Sequence, residues 1–206
     1  MLVFFEQNLV FLAVPKTGTS AVEWALRPKA DIIFGKGRKH TTGMRYRKKI
    51  APFLQDTYGI TPKPFAVMRN PVEQIRSWFR YRQGVSETNS DRSTQGHSFD
   101  EFVLAVIEDD PPVYAAIGSQ YNFLTSARGK LLVAHLFAYE AQPLFRNFLM
   151  DQFGDDLKFK QKNVSPNADT SLSPEVEAKF RAARSKEFEL YDRLMAAGGH
   201  LRNPRA

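Results

Sequence analysis

The sequence predicts an α/β fold: a single domain with a central, mainly parallel sheet flanked by helices. Three observations point there. Short β-branched and aromatic runs alternate with longer stretches of helical spacing. Several of those runs are apolar throughout, as strands covered on both faces are. A glycine-bearing turn at 15–20 leads straight from one such run into a helix start. At 206 residues the chain is long enough for one sizeable core and short for two. Residues 1–201 are therefore read as one domain and 202–206 as a frayed tail.

The elements follow in order. Residues 2–5 and 9–14 read as a strand pair joined at Gln7-Asn8. The spacing of Ala21, Trp24 and Ala25 predicts a helix over 20–27, stopped by Pro28. Residues 31–34 form a further short strand, and 35–42 a basic loop. A helix over 44–58 ends at Gly59, a residue suited to the left-handed position after a helix. Residues 64–68 form a strand ended by Arg69. Asn70 then caps, and Pro71 starts, a helix to about residue 83. Residues 84–98 are the most polar, turn-rich stretch and read as a mobile loop, not a domain linker, because helical patterning resumes at once. Ser98 and Glu101 have capping-box spacing before the next helix. Residues 131–137 make another strand, followed by a helix over 141–153. One last helix starts at Ser173-Pro174 and ends at Gly198-Gly199.

Composition narrows the function. The net charge is +7 and the pI about 9.6, a balance suited to a polyanionic partner. The absence of cysteine excludes disulfides, thiolate metal sites and Cys nucleophiles. Four scattered histidines leave little for zinc. No run reaches the roughly 18 apolar residues of a membrane span. The apolar N-terminus lacks a basic n-region and is broken by Glu6-Gln7-Asn8, so it reads as strands, with the cytoplasm as default compartment. Nucleic acid is disfavoured, because the basic run "GKGRKHTTGMRYRKK" offers only Tyr46 as an interleaved aromatic.

Two motifs carry chemistry. In "PKTGTS", a strand, a Gly-bearing turn and a helix start make an anion cradle: free N–H groups and the helix dipole attract negative charge, Lys16 adds a full charge, and Thr17, Thr19 and Ser20 add hydroxyls. A Walker A loop needs Lys directly after Gly, but here Lys16 precedes Gly18. In "FAVMRNPVEQIRS", Arg69 sits at a strand's carboxyl end, where α/β sheets bind ligands. Ser77 lies two helical turns on and reaches the same place only if that helix leans over the strand end. A magnesium-using enzyme would usually offer Asp there; Arg instead neutralises a ligand directly. The plainer alternatives are a capped helix start with a surface Lys, and an Arg paired to Glu73.

Together these motifs resemble the sulfotransferases that use 3′-phosphoadenosine-5′-phosphosulfate, in particular the carbohydrate-sulfotransferase branch, and the resemblance implies a P-loop-NTPase-like fold. "PKTGTS" is similar to that family's 5′-phosphosulfate loop, and "RNPVEQIRS" to its 3′-phosphate motif. The resemblance implies that Lys16, Thr17, Gly18, Thr19 and Ser20 bind the 5′ side and Arg69 and Ser77 the 3′ side. "GRKHTT" resembles the segment with the branch's catalytic His, and "KNVSP" makes Asn163 and Ser165 candidates for the adenine side. Residues 9 to about 195 are covered. Departures are Gln74, where the family often has a second Arg, and "FAYE", which lacks the usual Arg.

The implied reaction moves a sulfonate to a hydroxyl acceptor, with carbohydrate the acceptor class the branch suggests, releases adenosine 3′,5′-bisphosphate and needs no metal. It requires a base, a cation at the leaving oxygen and donors for the sulfonate oxygens. Lys16 suits the cation. His40, amid Lys36, Arg38 and Lys39, suits the base, with those charges holding it neutral; His97 is the reserve. Glu140 reads as a cap for the helix that follows it. The rival readings are a P-loop-like nucleotide kinase or NTPase and a non-catalytic polyanion-binding module.

Overall fold

The computed structural model describes residues 1–84, 91–159 and 168–204. Strands β1 (Leu2–Phe4) and β2 (Leu9–Phe11) pair antiparallel across the turn at Asn8, whose φ of 50° is the left-handed conformation that Asn tolerates. Helix α1 (Thr19–Leu26) and a 3₁₀ turn at Arg27–Lys29 lead to β3 (Ile32–Ile33). The helical path from 43 to 58 comprises α2 (Gly43–Arg45), a π-helical turn (Tyr46–Ile50) and α3 (Ala51–Tyr58). Pro52 explains the break in regularity: it has no N–H for the carbonyl one turn back, and its ring would crowd it. Gly59 closes the path at φ 68°.

Strand β4 (Lys63–Met68) and helix α4 (Pro71–Gln83) follow. The Asn70 side chain accepts from the Val72 and Glu73 amides at 3.0 and 3.3 Å, and Pro71 occupies the first turn. Asn70→Ala should therefore cost about 1 kcal/mol of stability, measurable as a lower urea midpoint at unchanged slope. Helix α5 (Phe99–Val106) carries the expected capping box from Ser98 and Glu101. Helices α6 (Gln120–Leu124), α7 (Gln142–Phe153), α8 (Pro174–Ala183) and α9 (Ser185–Ala196) and strands β5 (His135–Ala138) and β6 (His200–Arg202) complete the described chain.

The sheet order is β3-β1-β2-β4-β5-β6. Strands β2, β4 and β5 are mutually parallel; β1 and β6 run the other way, and β3 pairs antiparallel with β1. Four of the six strands thus share one direction in a mixed, mostly parallel sheet. Alternate residues feed two cores. Val10, Ala66 and Leu136 face Tyr46, Leu54, Leu190 and Leu194, whereas Phe11, Phe65 and Phe137 face Val22, Leu26, Phe145 and Leu149. Both faces are covered, which is why the strands are apolar throughout. A third core joins α4, α5 and α8 through Phe79, Phe102 and Phe180. Among the described residues no helix is long and apolar enough to cross a membrane.

Four expectations are corrected. The strand expected over 131–137 begins at His135, because Leu131 bridges Thr125 and the Leu132 amide bonds Leu124 instead. The single C-terminal helix is two, broken at Arg184, whose guanidinium reaches the Val106 carbonyl at 3.1 Å. The tail expected to fray from 202 is ordered there: Arg202 ends β6, and the Asn203 amide bonds the Ala134 carbonyl. Helix α6, begun by the Ser119 cap, escaped notice because five residues are too few to show a period.

Candidate functional site: a cationic cleft at the strand ends

Strands β2, β4 and β5 all end on the same side, and each end contributes to one cleft of about 780 Å³. From β2 comes the 15–20 turn. Lys16 has φ 66° and Gly18 φ 72°, two left-handed residues that curl the chain into a concave turn. Glycine is needed at the second, since a Cβ there would also lie 3.1 Å from the Tyr139 ring. At Lys16 a side chain adopts this strained region, a feature that concentrates at functional sites. Among the described residues no hydrogen bond takes up the amides of Lys16, Thr17, Gly18, Thr19 or Ser20. Five residues at the N-terminus of α1 thus line the cleft with amide donors that have no acceptor among the described residues.

The hydroxyls divide differently from expectation. Thr17 is buried and donates to the Val14 carbonyl at 2.9 Å, so it secures the turn and offers a ligand only its amide. Thr19 is also buried. Ser20 is half-buried, and its Oγ accepts from Lys39 Nζ at 3.4 Å.

The Lys16 ammonium lies 3.8 Å from the centre of the Tyr81 ring and 5.4 Å from that of Trp78. Burial, reinforced by the nearby Arg69 charge, lowers its pKa to about 8. Arg69, from β4, lies over the Tyr139 ring at 4.7 Å and 3.7 Å from Glu73. The expected alternative pairing with Glu73 is thus present, yet Arg69 Nε is buried with no partner among the described residues, and the residue still lines the cleft. Helix α4 does lean over the strand end, and Ser77 and Trp78 line the same cleft. The indole N–H of Trp78 is likewise a buried donor without a partner among the described residues. Gln74, at the position of the missing second Arg, is buried and donates to the Pro15 carbonyl at 3.3 Å, tying α4 to the turn.

His40 also reaches the cleft. Its Nδ1 lies 2.7 Å from the Ala13 carbonyl, which can only accept, so Nδ1 carries the proton and Nε2 is the free base. Burial is the main reason its pKa is lowered, and Lys39 adds to it; the surrounding cations are secondary to burial, contrary to the sequence expectation. His97, the reserve, does not line the cleft. It stacks on Tyr114 with ring centres 4.1 Å apart, and no described residue of 91–98 lines the cleft. His135 and His200 meet at 3.1 Å, also outside the cleft. Glu140 accepts from the Asn70 amide at 2.9 Å and so steadies the turn after β4 instead of capping α7. Residues 85–90 of the polar loop, with Asn163 and Ser165, lie outside the described residues.

Tyr81, Tyr139, Gln142, Arg146 and Phe159 complete the lining and were not legible as site residues in the sequence. Only Tyr139 had a signal available, its place at the end of a strand parallel to those ending in the turn and Arg69.

Fold and cleft together define the class: an α/β domain with a cationic ligand cleft at the carboxyl ends of adjacent parallel strands. Compared with known proteins, the chain matches no family model, no curated protein and no solved structure. The likeness to sulfotransferases therefore stands on the motif residues and their placement.

Proposed function

We propose that the protein is a sulfotransferase of P-loop-like architecture that takes a sulfonate from 3′-phosphoadenosine-5′-phosphosulfate and passes it to a hydroxyl, on a carbohydrate by the branch it resembles. One observation carries this reading: the uncommitted amides of 16–20 and the guanidinium of Arg69 open on one cleft from neighbouring strands. A ligand with anionic groups at two ends answers both features. The donor residues suit it, since the turn offers five amides and a lysine, and Arg69 a buried unpartnered N–H.

The bound donor would supply an electrophilic sulfur with a phosphate leaving group. In this arrangement His40 Nε2 takes the acceptor hydroxyl's proton as the oxygen bonds to sulfur. Lys16 moves from the Tyr81 face to the bridging oxygen, where it offsets the charge left on phosphate as the S–O bond breaks. The turn amides and Ser20 hold the 5′ side, and Arg69 with Ser77 holds the 3′-phosphate.

Calorimetry with adenosine 3′,5′-bisphosphate and with ATP, each with and without magnesium, tests the reading. The expected result is metal-independent preference for the bisphosphate. Arg69→Ala should weaken that binding roughly 10- to 100-fold, the range for a hydrogen bond to a charged group. Magnesium-dependent preference for ATP would instead establish a kinase or NTPase.

A further inference from the structure

We infer that Gln120 and Glu187, from helices α6 and α9, are positioning residues that aim Arg69 at its anion by clamping the peptide groups on either side of it. The inference rests on the assignment of Arg69 to the 3′-phosphate. Gln120 is 1% exposed and uses both ends of its amide on Arg69: Oε1 accepts from the Arg69 amide at 2.9 Å, and Nε2 donates to the Arg69 carbonyl at 2.9 Å. Arg69 lies just past the last residue of β4, where the ladder no longer holds the backbone. Among the described residues its side chain has a ring contact and a 3.7 Å ion pair and no hydrogen bond, so the direction of the guanidinium depends on the peptide.

Glu187 decides which way the Gln120 amide faces. Its Oε1 accepts from the Gln120 backbone N–H at 3.0 Å and from Nε2 at 3.2 Å. A reversed amide would set its oxygen against that carboxylate and its NH₂ against the Arg69 N–H. Glu187 is 4% exposed, and Arg184 is 4.0 Å away. A carboxylate is costly to bury, and its hydrogen-bonded donors here all belong to Gln120. Neither residue lines the cleft, so their influence on a ligand passes through Arg69.

The test compares adenosine 3′,5′-bisphosphate with AMP, which lacks the 3′-phosphate. In Gln120→Leu the preference for the bisphosphate should fall about tenfold, as expected for a misaimed contact, while AMP affinity is unchanged. Glu187→Leu should do the same, and Glu187→Gln, which keeps an acceptor oxygen, should restore most of the preference. Equal weakening of both nucleotides would mean a general structural role and overturn the inference, as would an undiminished preference in a folded Gln120→Leu. If the wild-type protein shows no preference, the sulfotransferase reading falls. The clamp is then judged by ¹⁵N relaxation of Arg69 Nε: lower order in Gln120→Leu supports it, and unchanged order overturns it.

Discussion

His40→Ala should lower turnover by about 10²–10⁴-fold, the usual contribution of a positioned general base. Affinity for adenosine 3′,5′-bisphosphate should stay within about twofold, since in the proposed arrangement the ring would serve the acceptor proton and other residues would hold the nucleotide. Two observations suit His40 to the proposed role. The Ala13 carbonyl takes Nδ1–H and leaves Nε2 free, and burial lowers the pKa from 6.5. The sign follows: with its pKa below 6.5, the imidazole is mostly neutral at pH 6.5 and gains its proton as the pH falls further. The acid limb of kcat/KM should therefore lie below 6.5 and disappear in His40→Ala. Full turnover in His40→Ala would assign the base to another group; binding of the nucleotide with no turnover in wild type would favour a non-catalytic polyanion-binding module.

The second large effect belongs to Lys16. Lys16→Met keeps the length of the side chain and removes its charge, and turnover should fall about 10²–10³-fold, as when an oxyanion-stabilising donor is lost. The pH dependence is more diagnostic. With its pKa near 8, the free protein's Lys16 loses its proton as pH rises through 8. A ligand with two dianionic phosphate groups favours the charged form, so binding at pH 9 should draw in a fraction of a proton. The ligand's phosphates contribute none at that pH, because their second ionisation lies near 6. Calorimetry in buffers of differing ionisation enthalpy reads this uptake directly. It should be present in wild type and absent in Lys16→Met; uptake that persists in the variant would assign it to another group.

Apolar runs and caps made most of the fold legible. Leu9–Phe11, Lys63–Met68 and the Asn70-Pro71 helix start stand where local residue types put them, because a strand buried on both faces and a capped helix are written in adjacent residues. Elements stabilised by distant partners were not legible. Strand β6 exists through pairing with β5, and α6 through its packing near α2 and α9, so neither leaves a local period. The same divide runs through the cleft. Lys16, Gly18, Arg69, Ser77 and His40 could be read because a turn between strand and helix, a charged residue at a strand end and a His in a basic loop are local patterns.

The sequence by itself determined the chemistry available: an amide-lined turn, a strand-end Arg, a surplus of positive charge and no thiol. Tertiary structure alone decided which residues share a cleft. It leaned α4 over β4, turned His97 onto Tyr114, gave the Thr17 hydroxyl to Val14, brought Gln120 to Arg69 across 51 residues of chain and brought Glu187 to Gln120 across 67. The reason is physical. Local propensity acts over one turn of chain, whereas the contacts that aim a side chain form between segments far apart in sequence and exist only once the sheet and its covering helices have packed.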